Sequence, residues 1–324
     1  MWVKMEIRKD YVLDRYVIIA TNRGKRPSDF KKSNEDLAAL PEFDQKCPFC
    51  PGNEDKTPKE IGRVSNEGHW QIRWFENKFN AVELTSDYVV RTDNEFYTFG
   101  NAFGKHEVIV ETPKHNLQLW DLDENQLSEL IGVYNFRIEE LSRIPGVKYV
   151  ALFKNHGSEA GTSLVHSHSQ VIAYNIVPFW VREKIKAVGK FEGCPYCKLL
   201  HRERNSERHV LETDNFLTFT PYASQYPFEV VIFPKKHVRF LNELRNVFLE
   251  LAQHLKLVLN KLKELNCSYN ITWINSPYDN DLHFHIRIIP RITKPGGFEF
   301  FGTHINVMSP EEAANFYRGG VYHD

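Results

Sequence analysis

The sequence contains no uninterrupted apolar stretch near the roughly 18 residues that suggest a membrane span. It has almost no net charge. Its 41 Lys and Arg stand against 42 Asp and Glu, giving −1, and no long run of one sign occurs. That balance removes any general pull toward nucleic acid or an anionic membrane, so anion binding must come from a few placed groups. The stretch from Met1 to Asp10 carries charges of both signs and lacks the apolar core of a secretory signal. A cytoplasmic protein is expected. Cysteines are few: five in 324 residues. In a reducing compartment, paired cysteines serve as metal ligands or redox centres more often than as disulfides.

The length exceeds one ordinary core and predicts about two domains. The two halves repeat one another. The first reads Cys47-Pro48-Phe49-Cys50, then an apolar strand ending in Pro113-Lys114-His115, a long helical pattern, a strand from Tyr149, and His166-Ser167-His168-Ser169-Gln170. The second reads Cys194-Pro195-Tyr196-Cys197, then Val230 to Phe233 ending in Pro234-Lys235-Lys236-His237. A long helical pattern, a strand from Tyr269, and His283-Phe284-His285-Ile286-Arg287 follow. Five features in one order point to two fused copies of one domain, over 1–178 and 179–324.

The local patterns agree. Asp123, with Gln126 three residues on, predicts an N-cap, and Leu127, Leu130, Ile131, Tyr134, Ile138 and Leu141 keep helical spacing until Pro145-Gly146. A second stripe runs from Leu244 to Leu262. Ser309-Pro310-Glu311-Glu312 predicts a short third helix with a capping box. Tyr11 to Ile19, His106 to Glu111 and Phe228 to Phe233 look like strands. Antiparallel strands plus one long helix per half give an α+β fold. Cys267 stands alone and reads as a buried apolar filler.

Each C-x-x-C supplies two thiolates, and tetrahedral zinc needs four ligands. The repeat register selects His115 and His166 for the first pair, and His237 and His283 for the second. His201 and His209 lie close to Cys197 and are rival ligands, although they read as exposed histidines on a charged segment. The alternative for both pairs is a redox dithiol. Such pairs usually open a helix, whereas Cys47-Pro-Phe-Cys50-Pro51-Gly52 reads as a turn.

On a strand, side chains alternate between faces, so His166, His168 and Gln170 point one way and Ser167 and Ser169 the other. Three polar side chains on one face are costly to bury without a purpose. Upstream, Asn155-His156-Gly157-Ser158-Glu159-Ala160-Gly161-Thr162-Ser163 forms a polar loop able to offer backbone N–H groups and hydroxyls to an anion. Neutral imidazole can attack an anionic phosphate diester and form a phosphoramidate. Gln170 can donate to non-bridging oxygens without adding charge.

With these motifs the sequence resembles the histidine-triad superfamily, and within it the galactose-1-phosphate uridylyltransferase branch. That branch carries H-x-H-x-Q where related hydrolases carry a third histidine. The resemblance spans nearly the whole chain. It includes Arg23-Gly24-Lys25-Arg26-Pro27, Phe75-Glu76-Asn77-Lys78-Phe79, Pro221-Tyr222, Tyr226-Pro227-Phe228-Glu229 and Gly297-Phe298-Glu299. It implies two tandem histidine-triad-like domains, each an antiparallel sheet with a long helix. It implies a double displacement in which His168 takes a uridylyl group from UDP-glucose and passes it to galactose-1-phosphate. Asn77 would contact the nucleotide, Asn155, Ser163 and Gln170 its phosphates, with Gly161 and Thr162 in the same loop. Arg23 and Arg26 would contact substrate phosphate, and Phe298 and Glu299 the hexose. A homodimer is implied, because in this family some of these groups come from the neighbouring subunit. His166 matches the family's zinc ligand and His168 its nucleophile; a second zinc at Cys194, Cys197, His237 and His283 rests on the repeat.

Three departures stand out. The family's commoner motif is H-P-H-G-Q, Thr162 replaces a frequent cysteine, and Lys78 replaces a frequent acidic residue beside the nucleotide. Relatives with H-S-H-S-Q include ADP-sugar phosphorylases, so transfer of an adenylyl group to phosphate is the alternative, with dinucleotide phosphorolysis beside it. A zinc-dependent nucleic-acid-binding protein fits poorly, since the ligands of each cluster are scattered along the chain and the net charge is near zero. His285 and Arg287 hold the second-half positions of His168 and Gln170. That half lacks the Gly-Thr-Ser loop, so it reads as an inactive copy, with Arg287 suited to phosphate and His285 to local hydrogen bonding.

Overall fold

Period-two patterns of Val, Ile and aromatic residues build most of the strands. The structure is a computed structural model that describes residues 5–21 and 40–320. Strands β1 (Glu6–Lys9) and β2 (Tyr16–Ile19) pair first, followed by the hairpin of β3 (Glu60–Asn66) and β4 (His69–Glu76). A ribbon of β5 (Arg91–Thr92) and β6 (Thr98–Phe99) precedes β7 (Gly104–Val110). Helix α1 (Glu124–Ser142) leads to β8 (Tyr149–His156) and β9 (His168–Tyr174). The second half opens with α2 (Phe179–Val188) and α3 (Pro195–Glu203). It continues through β10 (His209–Glu212), β11 (Phe216–Phe219), β12 (Val230–Pro234), α4 (Phe248–Leu265), β13 (Tyr269–Ile274) and β14 (His285–Pro290). Strand β15 (His304–Asn306) returns parallel to β2, and α5 (Pro310–Tyr317) follows.

Among the described residues, ten strands form one sheet in the order β10-β11-β12-β14-β13-β8-β9-β7-β4-β3, antiparallel throughout. From the centre outward, both halves lay down their strands in the same sequence, so the order is symmetric about the β8–β13 pair. Helices α1 and α4 lie on one face and share a single core, in which Leu130, Leu255, Val171 and Ile271 belong to one cluster. On the other face, α2, α3 and the Val12-Leu13 segment cover the second half. Over the first half that face carries the Cys47–Cys50 turn, with Phe49 against Phe75, Val108 and Val110.

The caps follow the sequence. Asp123 Oδ1 accepts from Gln126 N at 2.8 Å while Gln126 Oε1 accepts from Asp123 N at 2.9 Å. Ser309 and Glu312 close the same box on α5. Cys267 is buried in the shared core. Three expectations differ. Tyr11 to Asp14 is a turn rather than strand, because Asp10 Oδ1 accepts from Val12 N and Leu13 N at 3.0 and 2.9 Å. The second apolar stripe is split: Leu241–Val247 is a 3-10 segment, and the α-helix begins at Phe248. Helices α2 and α3 were not expected; both are short, and their placement is set by packing on the sheet. Among the described residues no helix is long and apolar enough to cross a membrane.

Gly104 shows how tightly the central strands pack. It has φ +152°, and a Cβ there would lie 1.8 Å from the Ala173 carbonyl oxygen on β9. On α1, a Cβ at Gly132 would meet nothing within 4 Å. Gly104→Ala is therefore expected to destabilise by about 2 kcal/mol or more, whereas Gly132→Ala should stabilise by up to about 1 kcal/mol. Denaturant unfolding of the two variants checks the pair, and equal stability for both would contradict this packing.

Candidate active site and two cysteine–histidine clusters

The sequence-selected ligands converge. Cys47, Cys50, His115 and His166 are all buried, with their ligand atoms within 4.8 Å of one another. His166 Nε2 lies 2.7 Å from the Thr112 carbonyl oxygen. A carbonyl can only accept, so Nε2 carries the proton and Nδ1 is left as a lone pair. That Nδ1 sits 3.6 Å from both Cys47 Sγ and Cys50 Sγ, and His115 Nδ1 is 3.6 Å from Cys50 Sγ. Burial lowers the His166 pKa to about 4, so the imidazole is neutral, as metal ligation requires. The turn is pinned from below by Arg73, whose Nη2 donates to the Pro48 carbonyl at 3.0 Å.

The second cluster repeats this plan. The ligand atoms of Cys194, Cys197, His237 and His283 also lie within 4.8 Å of one another. His283 Nε2 donates to the Pro234 carbonyl at 2.9 Å, and its Nδ1 is 3.6 Å from Cys197 Sγ and 3.9 Å from Cys194 Sγ. His237 Nε2 meets Asp281 Oδ1 at 2.8 Å with Nδ1 3.5 Å from Cys197 Sγ. Outer-shell acceptors of this kind fix the tautomer of a metal-binding histidine. Unlike the first pair, the second C-x-x-C does open a helix, with Cys194 at the N-cap of α3. Its thiols nevertheless face two histidines, which a redox dithiol does not need. His201 and His209 stand outside the cluster.

Strand β9 begins at His168, two residues later than expected, because His166 turns into the first cluster. His168 is 8 % exposed. Its Nδ1–H donates to the His166 carbonyl at 2.8 Å, which leaves the Nε2 lone pair unprotonated. Burial holds its pKa below the usual histidine value. Phe49, inside the cysteine turn, packs edge-on against the ring with centroids 5.3 Å apart. The first cluster thus reaches His168 twice, through the His166 main chain and through Phe49.

Further along β9, Gln170 Oε1 accepts from His106 Nε2 at 2.8 Å and from Asn77 Nδ2 at 3.3 Å. Both donors hold the oxygen, which leaves the Gln170 amide N–H groups to donate outward. His106 is a member of this group that the sequence did not flag; a lone histidine on an apolar strand carries no spacing signal. His168 lines a cleft with Asn155, Gly157, Ser158, Thr162 and Ser163. The loop turns through a 3-10 segment, Ser158–Ala160, that ends on Gly161 in the left-handed region at φ +86°. Asn155 Oδ1 is engaged by Asn270 Nδ2 at 2.8 Å, so the second half props the loop. Phe298 and Glu299 make local contacts: Glu299 Oε2 accepts from Gly296 N at 2.8 Å. Nearby, Lys294 pairs with Glu159 of the loop at 2.7 Å. Arg23 and Arg26 lie outside the described residues.

In the second half, His285 Nδ1 bonds the His283 carbonyl at 2.9 Å, as His168 does with His166, but its Nε2 is capped by Lys184 Nζ at 2.6 Å. It serves local hydrogen bonding, as expected. Arg287 is not free for phosphate: Glu229 Oε1 and Gln225 Oε1 hold it at 2.7 and 2.8 Å.

Residues 3–178 match the family described as galactose-1-phosphate uridyl transferase, N-terminal domain. The chain is 35% identical to an ADP-glucose phosphorylase of Arabidopsis thaliana, over 97% of this chain and 92% of that protein. It is 29% identical to a galactose-1-phosphate uridylyltransferase of Thermotoga maritima, over 97% and 98%. A crystal structure of an ADP-glucose phosphorylase from Arabidopsis thaliana with bound ADP-glucose aligns at TM-score 0.80 and 30% identity, over 98% of this chain and 100% of that one. A uridylyltransferase structure aligns at 0.73 and 25%, over 97% and 98%. With the family match covering more than half the chain and relatives spanning nearly all of it, this protein belongs to the galactose-1-phosphate uridylyltransferase family and is a nucleotidyl-transferring enzyme.

Proposed function

We propose that this enzyme transfers an adenylyl group from an ADP-sugar to inorganic phosphate through a covalent adenylyl-His168. The observation that carries the chemistry is the His168 tautomer: Nδ1–H is committed to the His166 carbonyl, so Nε2 is the nucleophile. Nε2 attacks the α-phosphorus of the nucleotide sugar. The bond from that phosphorus to the bridging oxygen breaks, and the sugar 1-phosphate leaves with the electron pair. A phosphate oxygen then attacks the same phosphorus, the N–P bond breaks, and ADP is released. Gln170, oriented by His106 and Asn77, donates to the non-bridging oxygens. Asn155, Thr162 and Ser163 border the same cleft and, with Gly161 in the same loop, serve the phosphates.

The adenine reading is supported by the 35% identity and 0.80 TM-score to ADP-glucose phosphorylase, against 29% and 0.73 for the uridylyltransferases. Lys78, beside Asn77 where many uridylyltransferases carry an acidic residue, agrees with it. A second reading, uridylyl transfer from UDP-glucose to galactose-1-phosphate, is favoured by the family match and by the nearly full-length Thermotoga maritima relative.

Both clusters offer a Cys₂His₂ donor set suited to zinc, and four protein ligands leave no open position for substrate. When bound, zinc supplies structural cross-linking and fixes His166. The same reading includes a homodimer. Phe298, Phe300 and Phe301 are 45, 87 and 88% exposed on one turn, an apolar surface of the sort a partner covers.

Two outcomes are expected. Incubation with ADP-glucose, rapid quenching and intact-mass measurement should show an adenylyl adduct that His168→Ala lacks; a uridylyl adduct alone, from UDP-glucose, would transfer the function to the second reading. Elemental analysis should find two zinc ions per chain and one in Cys47→Ser, and chelation should lower the melting temperature together with activity. Lost activity at an unchanged melting temperature would refute a structural role for the metal.

A further inference from the structure

The face of β9 opposite His168 carries a buried polar cluster that none of these transfer steps uses. Lys154 on β8 and Glu111 just beyond β7 are each 2 % exposed. Lys154 Nζ lies 2.5 Å from Glu111 Oε2, 3.0 Å from Ser167 Oγ and 3.1 Å from the His168 carbonyl oxygen. The Glu111 carboxylate accepts from Ser167 Oγ at 2.5 Å, Ser169 Oγ at 2.5 Å and, from α1, Tyr134 OH at 2.6 Å. Glu111 N also donates to the Ser167 carbonyl at 3.1 Å. Three consecutive residues, Ser167, His168 and Ser169, are thereby tied to one ion pair, and the middle one carries the nucleophile.

The fold does not need this cluster. The second half is an internal comparison. Lys154 lies fourteen residues before His168, and Ile271 lies fourteen before His285; the two pair directly across the β8–β13 join. Phe284 and Ile286 stand where the first half has Ser167 and Ser169. Ile271, Phe284 and Ile286 are 1, 0 and 0% exposed and belong to the shared hydrophobic core. The same positions on the same sheet are therefore packed with hydrocarbon where no nucleophile has to be held. A buried ion pair is also poor at raising stability, since desolvation offsets its attraction and apolar replacement is often neutral or favourable. What the cluster adds is directional hydrogen bonds on the main chain and flanking hydroxyls of His168.

We propose that Lys154 and Glu111, acting through Ser167 and Ser169, are positioning residues that hold the His168 strand rigid for attack on phosphorus. The proposal rests on His168 being the nucleophile. It also gives the serines of H-S-H-S-Q a purpose that proline and glycine in H-P-H-G-Q could not serve, because neither has a hydroxyl.

The test compares wild type with the double variant Glu111→Leu/Lys154→Met and with Ser167→Ala and Ser169→Ala. The readout is single-turnover adduct formation from ADP-glucose, followed by quenched mass measurement. The double variant should keep or raise the melting temperature, leave the half-saturating ADP-glucose concentration within about twofold, and slow the maximal rate about 100-fold, the order expected when a reacting group is misplaced by an ångström. Each serine variant should lose about tenfold, the order of one hydrogen bond to a charged group. A rate within about threefold of wild type in the folded double variant would overturn the proposal. If the double variant does not fold, serine variants at wild-type rates would do so. A donor-independent measurement separates this from the proposed reaction. ¹⁵N NMR of labelled histidine should show one Nδ1–H tautomer for His168 in wild type and an averaged or broadened pair of signals in the variants. Unchanged signals would also sink the proposal, whereas wild type forming no adduct with either nucleotide sugar would instead overturn the nucleophile reading.

Discussion

The two-residue alternation of β9 is the constraint on which the site depends. Within it His168 goes to the cleft and Gln170 to Asn77 and His106, while His166, just before the strand, turns to one cluster of thiols. The intervening serines go to the helix-covered face. A slip of one residue would exchange the faces and bury the His168 imidazole among α1 side chains. The register is fixed on both sides, since β9 pairs with β7 from Val110 opposite His168 and with β8 from Phe153 opposite Gln170. The cysteine turn adds a third restraint, because Phe49 packs against the His168 ring while its neighbours in the turn face His166. The cysteine–histidine cluster, ring packing and strand pairing are therefore one mechanical unit.

Much of this was legible in the sequence because the repeat supplied a second copy to read against. It selected His115 and His166, and likewise His237 and His283, from fourteen histidines. Capping boxes were legible because they are local: Asp123 with Gln126 and Ser309 with Glu312 need only neighbours three residues away. What escaped was decided by distant packing. His106 reaches Gln170 only once β7 and β9 lie side by side. Lys154 and Glu111 have no spacing signal in the sequence, and only the fold shows that they meet. Helices α2 and α3 are short and owe their place to the sheet they cover. Arg287 looked suited to phosphate because its position matched Gln170, but Glu229, far off in sequence, neutralises it.

The halves agree in most of the site's local geometry and differ at one nitrogen. Both retain a Cys₂His₂ constellation with the same histidine-to-carbonyl bond behind it. Both retain the imidazole two residues on, with Nδ1 tied to the preceding carbonyl. They diverge at the free nitrogen, open to the cleft in His168 and closed by Lys184 in His285. With Lys184 Nζ on its lone pair, the His285 imidazole is closed off while the strand keeps its pairing.

The symmetric strand order has a further consequence, for the sheet's exposed edges. Strands β8 and β13 cover one another's edge at the middle of the sheet, joined from Tyr269 opposite His156 to Trp273 opposite Leu152. Cut near residue 178, each half would bare that strand as a raw edge, and an open edge recruits whatever strand matches it. The partner that matches best is another copy of the same half, turned by a twofold axis between Lys154 and Ile271. In this chain the same edge-to-edge meeting lies in the interior of one sheet.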